Sequence, residues 1–169
     1  MGSGTPGDWS PAVRPGTVTS SEPIYTASAP ANMSQRRRAR EVALQVLFED
    51  DVNSRGTAEE LQSFLRGRIR NRGMEDFALA LVFGVRRNRE ALDERIEAIA
   101  ANWSLKRMAG VDRNVLRLAA FEILHTDTPF AVVVIEEIEL AKRFGSKQSG
   151  GFVNGILARL KPSPEAAEA

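Results

Sequence analysis

Apolar positions recur at helical spacing from residue 34 onward. Such a stripe is the pattern of an amphipathic helix. Ser34 is suited to be its N-cap, because a serine side chain accepts a hydrogen bond from the first turn. The pattern predicts a first helix from residue 34 to about Val52. Its apolar stripe consists of Ala39, Val42, Ala43, Val46 and Leu47.

The same spacing predicts three more helices before residue 104. Thr57 and Glu60 fit a capping box, which opens a second helix that runs to about Arg70. A third helix, around residues 77–85, is predicted to end where Asn88 caps a fourth. The apolar face of that fourth helix includes Trp103.

Three further helices complete the pattern. The helix from Asp112 to about residue 124 is apolar on more than one face and is expected to be the most buried. Thr128-Pro129 begins the next helix, and Gly145 suits its end. The β-branched run 132–135 could form a strand, but it has no partner strand and keeps the helical period. The last helix covers about residues 149–160, so an all-α, compact bundle of about seven helices is predicted.

Composition divides the chain into three parts. Of residues 1–33, 18 are Gly, Ser, Thr or Pro, a content too poor in apolar groups to offset the entropy of ordering. We expect residues 1–33 to be a disordered extension, 34–161 to be the helical domain and 162–169 to be a tail. A further hypothesis is that Met33 is the true start of the protein.

Charge and cysteine content narrow the class of protein. The net charge is +1 and there is no cysteine, which excludes disulfides and thiolate metal sites. Any basic surface must be local. No apolar run reaches the roughly 20 residues that span a bilayer, so a soluble cytoplasmic protein without membrane contact is expected.

The sequence offers little for catalysis. Its one histidine, His125, lies near the end of a helix, where a cation suits the helix dipole. The acidic pairs 50–51, 59–60 and 136–137 are expected on solvated helix faces, because neighbouring residues point in different directions. We therefore predict no catalytic residue, no metal site and no cofactor.

The most informative group is the arginine cluster: Arg36, Arg37, Arg38 and Arg40. Cations near a helix N-terminus oppose its dipole, by roughly 0.3–1 kcal/mol each, and a polyanionic partner would offset that cost. Guanidinium groups bind phosphate and stack on bases. Phe48 follows on the same helix and is either a stacking platform for bases or part of the core.

A second basic set alternates by two along the chain. On a helix this spacing spreads charge around the axis, so solvation is a sufficient explanation for it. The set consists of Arg66, Arg68, Arg70 and Arg72.

Three segments together resemble the NusB family of transcription antitermination factors. RRRAREVALQVLFEDDV is similar to the family's first helix, VDRNVLRLAAFEILH to its central helix, and IEEIELAKRFGSKQSGGFVNGILARL to its C-terminal signature. The resemblance implies an all-α fold of two small helical subdomains. It also implies a non-enzymatic protein without a cofactor that binds boxA RNA together with NusE, a ribosomal protein. The complex joins RNA polymerase in an elongation complex, notably on ribosomal RNA operons.

The resemblance also implies site residues. The arginine cluster and Phe48, where many relatives have an aromatic residue, match the RNA-binding positions. Asp112, Phe144, Gln148 and Phe152 match positions that face NusE, although for Phe144 and Phe152 core packing is the alternative. Gln148 replaces an acidic residue of some relatives, Ile135 replaces a polar one, and Gly150-Gly151 is expected to loosen the following helix.

Two other functions remain as alternatives. Some RNA cytosine methyltransferases carry a NusB-like domain, but they need a second domain with a glycine-rich cofactor loop, which this sequence lacks. The other alternative is a protein-only interaction module, or a homodimer that masks its RNA face.

Overall fold

The structure, a computed structural model, describes residues 29–53 and 56–161. Within these ranges it contains six α-helices, one 3₁₀ turn and no strand, which confirms the all-α class with one helix fewer than expected. The chain forms two compact units, Met1–Arg86 (unit 1) and Arg87–Ala169 (unit 2). The helices are α1 (Ala29–Val52), α2 (Ala58–Arg68), α3 (Arg72–Ile99), α4 (Gly110–His125), α5 (Phe130–Phe144) and α6 (Ser149–Ala158), and the 3₁₀ turn is Leu105–Arg107.

The missing helix results from the fusion of two predicted ones. Residues 77–85 and 88–99 belong to the single helix α3, and Asn88 lies within it instead of capping a new helix. No proline or glycine stands between Val85 and Ile99, and one asparagine inside a helix costs only a fraction of a kcal/mol. The prediction of a break at Asn88 was therefore wrong.

Helix α1 begins earlier than predicted. It starts at Ala29, so Ser34 lies inside the helix and is not its N-cap. Pro30 occupies the first turn, where proline is favoured because it needs no hydrogen-bond acceptor there. Residues 29–33, expected to be disordered, are helical. Residues 1–28 and 162–169 lie outside the described residues.

In unit 1, an ion pair joins α1 to α3. The Nε and Nη2 atoms of Arg86 donate to the two carboxylate oxygens of Asp50 at 2.7 and 2.8 Å. Both side chains are largely shielded from solvent. Thr57 and Glu60 form the predicted capping box at the start of α2. The acidic pair 59–60 is exposed as expected, whereas Asp50 is tied to Arg86.

Unit 2 is built around α4, which packs against α5 and α6. Every residue from 114 to 123 is buried, which confirms that α4 is the central helix. The buried residues include Arg117, which donates to both carboxylate oxygens of Asp93 at 2.7 and 3.0 Å. Glu136 and Glu137 on α5 are also buried, so the expectation that this acidic pair is solvated was wrong.

Gly145 ends α5 as predicted, and its place requires glycine. A Cβ atom there would lie 2.7 Å from the carbonyl oxygen of Ala141 and would overlap the hydroxyl of Ser149. That hydroxyl accepts a hydrogen bond from the backbone N–H of Ser146 at 2.9 Å. The close turn places the start of α6 directly after α5.

We predict that Arg86→Ala lowers the free energy of unfolding by about 3 kcal/mol, because it leaves the Asp50 carboxylate shielded and without its ion-pair partner. Urea denaturation monitored by circular dichroism measures the change. Lys142→Ala is the matched control: Lys142 and Glu139 form an exposed pair at 3.8 Å, which is worth less than about 1 kcal/mol. Equal losses in the two variants would contradict the prediction.

Candidate nucleic-acid and protein interfaces

The arginine cluster is divided between the surface and the interior of unit 1. Arg37 and Arg38 are exposed on α1. Nη1 of Arg38 lies 3.4 Å from a carboxylate oxygen of Glu41, a long contact at an exposed site. Such a pair is weak in water, so the guanidinium can turn to an anionic partner at little cost.

Arg40 does not belong to this surface. It is 1% exposed, and its guanidinium carbon lies 5.3 Å from the centre of the Phe77 ring on α3. Arg36, which is partly exposed, lies 4.5 Å from the same ring centre. Arginine over an aromatic face is a favourable cation–π arrangement. The structure therefore gives Arg40 a packing role in place of the predicted exposed RNA contact.

The cost of placing the cluster near a helix N-terminus also disappears. Because α1 begins at Ala29, Arg36 lies about two turns into the helix. The dipole effect falls off within the first turn. The arginine cluster therefore does not oppose the helix dipole, and its suitability for an anionic partner rests on its exposure and its neighbouring side chains.

Phe48 is 40% exposed, which excludes the alternative that it is a core residue. It follows Arg37 by 11 residues, which is about 16 Å along the helix and only about 20° around it. Val52, one turn further, is also exposed. The described side chains of α1 thus present two arginines at one end of a face and an aromatic ring at the other.

Asp112 lies in the first turn of α4 and is 9% exposed. One of its carboxylate oxygens, Oδ1, is buried and has no hydrogen-bond partner among the described residues. A buried acceptor without a donor costs about 1–3 kcal/mol. Because Oδ1 is itself inaccessible, the structure does not present this oxygen to a partner.

The three other predicted partner residues flank the turn between α5 and α6. Phe144 is 45% exposed, which excludes core packing for it, and the guanidinium of Arg143 lies 5.3 Å from its ring centre. Gln148 is exposed, and its amide oxygen accepts from the Ser146 hydroxyl at 3.3 Å. Phe152 is half-buried at the start of α6.

Trp103 is a residue of this surface that the sequence analysis missed. It was predicted to face the core from a helix, but α3 ends at Ile99 and the indole is 48% exposed. Its ring meets the Phe152 ring edge to face, with centroids 6.1 Å apart. The end of the helix, which the sequence does not mark with a glycine or proline, is what turns Trp103 outward.

The structure accounts for part of one departure from the family pattern, the Gly150-Gly151 pair, but not for the other, Ile135. Gly150 is buried within α6, where an added Cβ would lie 2.9 Å from the Lys142 side chain. Gly151 has open space around it, and α6 starts before both glycines, at Ser149. Ile135 is exposed on α5, and nothing in the structure explains its replacement of a polar residue.

Two further features concern metals and membranes. Within residues 29–53 and 56–161, no three His, Cys, Asp or Glu side chains are arranged to hold a metal ion. None of the helices that the structure describes is long and apolar enough to cross a membrane.

Comparison with known proteins agrees with this architecture. The model of the NusB family matches residues 37–162. A transcription antitermination protein NusB of Anaeromyxobacter dehalogenans is 52% identical over 128 residues, which are 75% of this chain and 90% of the relative. NusB of T. maritima is 35% identical with a TM-score of 0.68, over 79% of this chain and 97% of that one.

A second similar structure is a complex that contains a protein partner and RNA. One chain of a crystal structure of the antitermination factors NusB and NusE in complex with double-stranded RNA is similar to this chain. The TM-score is 0.67 at 30% identity, and the match covers 76% of this chain and 96% of that chain.

The pKa of His125, at the end of α4, is lowered by its surroundings. Its ring stacks on Phe121 with centroids 5.4 Å apart, and burial lowers the pKa of His125 below its ordinary value of 6.5. The direction of this shift is opposite to the effect expected from the helix dipole, which would favour the charged form. The folded chain binds the proton less readily than the unfolded chain does, so the free energy of unfolding rises with pH across the window between the lowered pKa and 6.5.

We expect His125→Gln to remove this part of the pH dependence. Urea denaturation at about pH 5 and at about pH 7.5 should give a smaller difference in the free energy of unfolding for the variant than for the unchanged protein. Carboxylates titrate in both proteins and cancel in the comparison. An identical pH dependence would show that the pKa of His125 is the same in the folded and unfolded chains.

Proposed function

The chain belongs to the NusB family, and from that premise we propose that it binds boxA-type RNA through unit 1 and NusE through unit 2. Proteins of this family are transcription antitermination factors and not enzymes. The observation that carries the RNA assignment is the exposed face of α1, where Arg37, Arg38 and Phe48 face solvent together.

Two kinds of contact support RNA as the partner of this face. Arginine forks bind phosphate oxygens in pairs, and the Arg38–Glu41 pair on this face is long and exposed, so it competes weakly with a phosphate. Single-stranded RNA also offers bases that stack on aromatic rings, at about 1–3 kcal/mol per base. Phe48 lacks the hydroxyl of a tyrosine but keeps the face that stacks.

Protein capture is assigned to the surface formed by Phe144, Gln148, Phe152 and Asp112. Half-buried aromatic residues are the usual anchors of protein interfaces. Asp112 is assigned to this surface by the family match, although its Oδ1 atom is itself buried. Gln148 is neutral, so its contact would be a hydrogen bond and not a salt bridge.

The wider role follows from the family. We propose that the protein and NusE act in the cytoplasm, in an RNA polymerase elongation complex that reads through terminators, notably on ribosomal RNA operons. The similar solved complex contains NusB, NusE and RNA, which supports joint binding of the two partners.

We predict that replacing Arg36, Arg37 and Arg38 with Gln weakens boxA RNA binding and flattens its salt dependence. Each lost phosphate contact lowers the slope of log affinity against log salt by about 0.7. Fluorescence anisotropy across a salt series measures it. Arg40→Gln is tested separately and should lower stability more than it changes this slope. A triple variant with unchanged slope and affinity would reject the α1 face as the RNA site.

We predict that Phe152→Ala weakens NusE binding at least tenfold, a loss of about 1.4 kcal/mol, and leaves the affinity for RNA alone unchanged. Isothermal calorimetry with NusE measures the first quantity, and circular dichroism checks the fold. Ile135→Ala is the control, since it removes an exposed apolar side chain elsewhere in unit 2. Should RNA binding fall as much as NusE binding, the separate assignment of the two surfaces would fail.

A further inference from the structure

The second basic set spans the end of α2 and the start of α3, and does not lie on one helix as the sequence suggested. Helix α2 ends at Arg68, and Ile69 is extended, with φ −123° and ψ 121°. In extended chain, successive side chains point to opposite sides. Ile69 is accordingly buried, while Arg68 and Arg70 on either side of it are exposed. The break between the two helices therefore keeps both of these arginines on the surface.

All four arginines of the set are exposed, including Arg66 at the end of α2 and Arg72 at the start of α3. No acidic residue occurs from Leu61 to Met74. Gly67 lies between two of them, exposed and with open space around the position of a Cβ atom, so packing does not require glycine there. A bulky ligand backbone could approach this segment closely.

The nearest carboxylates do not neutralise the set. Glu75 is buried and lies 3.6 Å from Arg66, a distance too long for a strong ion pair. Burial raises the pKa of Asp76, and Glu75 raises it further, whereas Arg72 lowers it. Residues 61–76 thus contain four arginines and only two carboxylates, so this segment keeps an excess of positive charge.

The set also lies close to the arginine cluster within unit 1. Arg36 and Arg40 both lie over the ring of Phe77 on α3. Arg72 begins the same helix, five residues before Phe77, which is about 8 Å along the axis. The segment that carries the second set therefore leads directly into the helix against which the arginine cluster packs.

One arginine of the set is held in a defined position. The guanidinium carbon of Arg68 lies 3.7 Å from the centre of the Phe64 ring, and its Nη1 lies 3.4 Å from the Phe64 carbonyl oxygen. A guanidinium stacked on one face by a ring still has edge N–H groups for phosphate oxygens. Holding the side chain in place reduces the entropy that binding would cost.

We propose that Arg66, Arg68, Arg70 and Arg72 form a second RNA-binding surface, which contacts the backbone phosphates of RNA that flanks the element bound by the α1 face. This inference rests on the proposed function, since it assumes that RNA is held at the α1 face. Contacts to phosphate carry no base information. The second surface therefore lengthens the bound RNA segment and raises affinity without adding sequence preference.

The test uses two RNA probes and the full-length protein. One probe is a minimal boxA RNA, and the other is the same RNA with a uridine tract at each end. We expect the unchanged protein to bind the longer RNA more tightly and with a steeper salt slope. The variant R68Q/R70Q/R72Q should lose that gain, lower the slope by about 2, and leave minimal RNA binding unchanged. A slope of 0.7 per contact corresponds to about fivefold in affinity for each contact at 0.1 M salt relative to 1 M.

Two controls separate charge at this site from other effects. The variant R68K/R70K/R72K keeps the charge and should keep most of the slope. The variant R95Q/K106Q/K161Q removes the same net charge from exposed residues of unit 2 and should bind both probes like the unchanged protein. Equal losses in this control would overturn the proposal, because net charge would then explain the effect.

The remaining outcomes distinguish this inference from the proposed function. Tight binding of minimal RNA without any gain from the uridine tracts overturns the second surface and leaves the α1 face intact. If R68Q/R70Q/R72Q binds both RNAs normally but no longer binds NusE, the four arginines contact protein and not RNA. That result would overturn the proposal as well. If neither probe binds in the presence or absence of NusE, the proposed function fails, and the second surface fails with it.

Discussion

The contact between α1 and α3 decides which side chains unit 1 presents. Arg36 and Arg40 lie over Phe77 near one end of α1, and Asp50 pairs with Arg86 near the other. The two contacts are about 15 Å apart along the helix. A helix held at two such points cannot rotate about its axis. The outward direction of Arg37, Arg38 and Phe48 therefore depends on interactions made on the opposite side of the helix.

Unit 2 depends on charges in its interior. Arg117, Glu122, Glu136 and Glu137 are all buried near or within the packing of α4 and α5. Moving charged groups out of water costs several kcal/mol each unless partners compensate. Arg117 is compensated by Asp93, because its Nε and Nη2 atoms donate to the two carboxylate oxygens. Such a pair accepts few alternative geometries, so it fixes how α4 lies against the part of α3 that carries Asp93.

Much of the fold could be predicted from periodicity and capping. The Thr57–Glu60 box and the Gly145 end of α5 were predicted correctly because local chemistry determines them. The burial of α4 was predicted correctly because this helix is apolar on more than one face. The break at Asn88 was wrong, since a polar residue alone does not end a helix that continues to bury its apolar side.

The site was harder to predict, because burial depends on what packs across from a residue. Arg40 belongs to an arginine-rich run, yet Phe77, distant in sequence, gives it an interior position. Glu136 and Glu137 also carry charged side chains, which are usually exposed, and they too are buried. Conversely, the end of α2 at Arg68 makes Ile69 extended, and this change buries Ile69 while Arg68 and Arg70 stay exposed. The family resemblance supplied roles for residues but not these local geometries.

The early start of α1 has an electrostatic consequence for the α1 face. Residues 29–33 form the first turn, and the unsatisfied N–H groups of the helix lie there. Their partial positive charge is thus about two turns away from Arg36, where the helix dipole adds little to the potential of the arginines. The attraction of this face for a polyanion is therefore set by its side chains and not by the end of the helix.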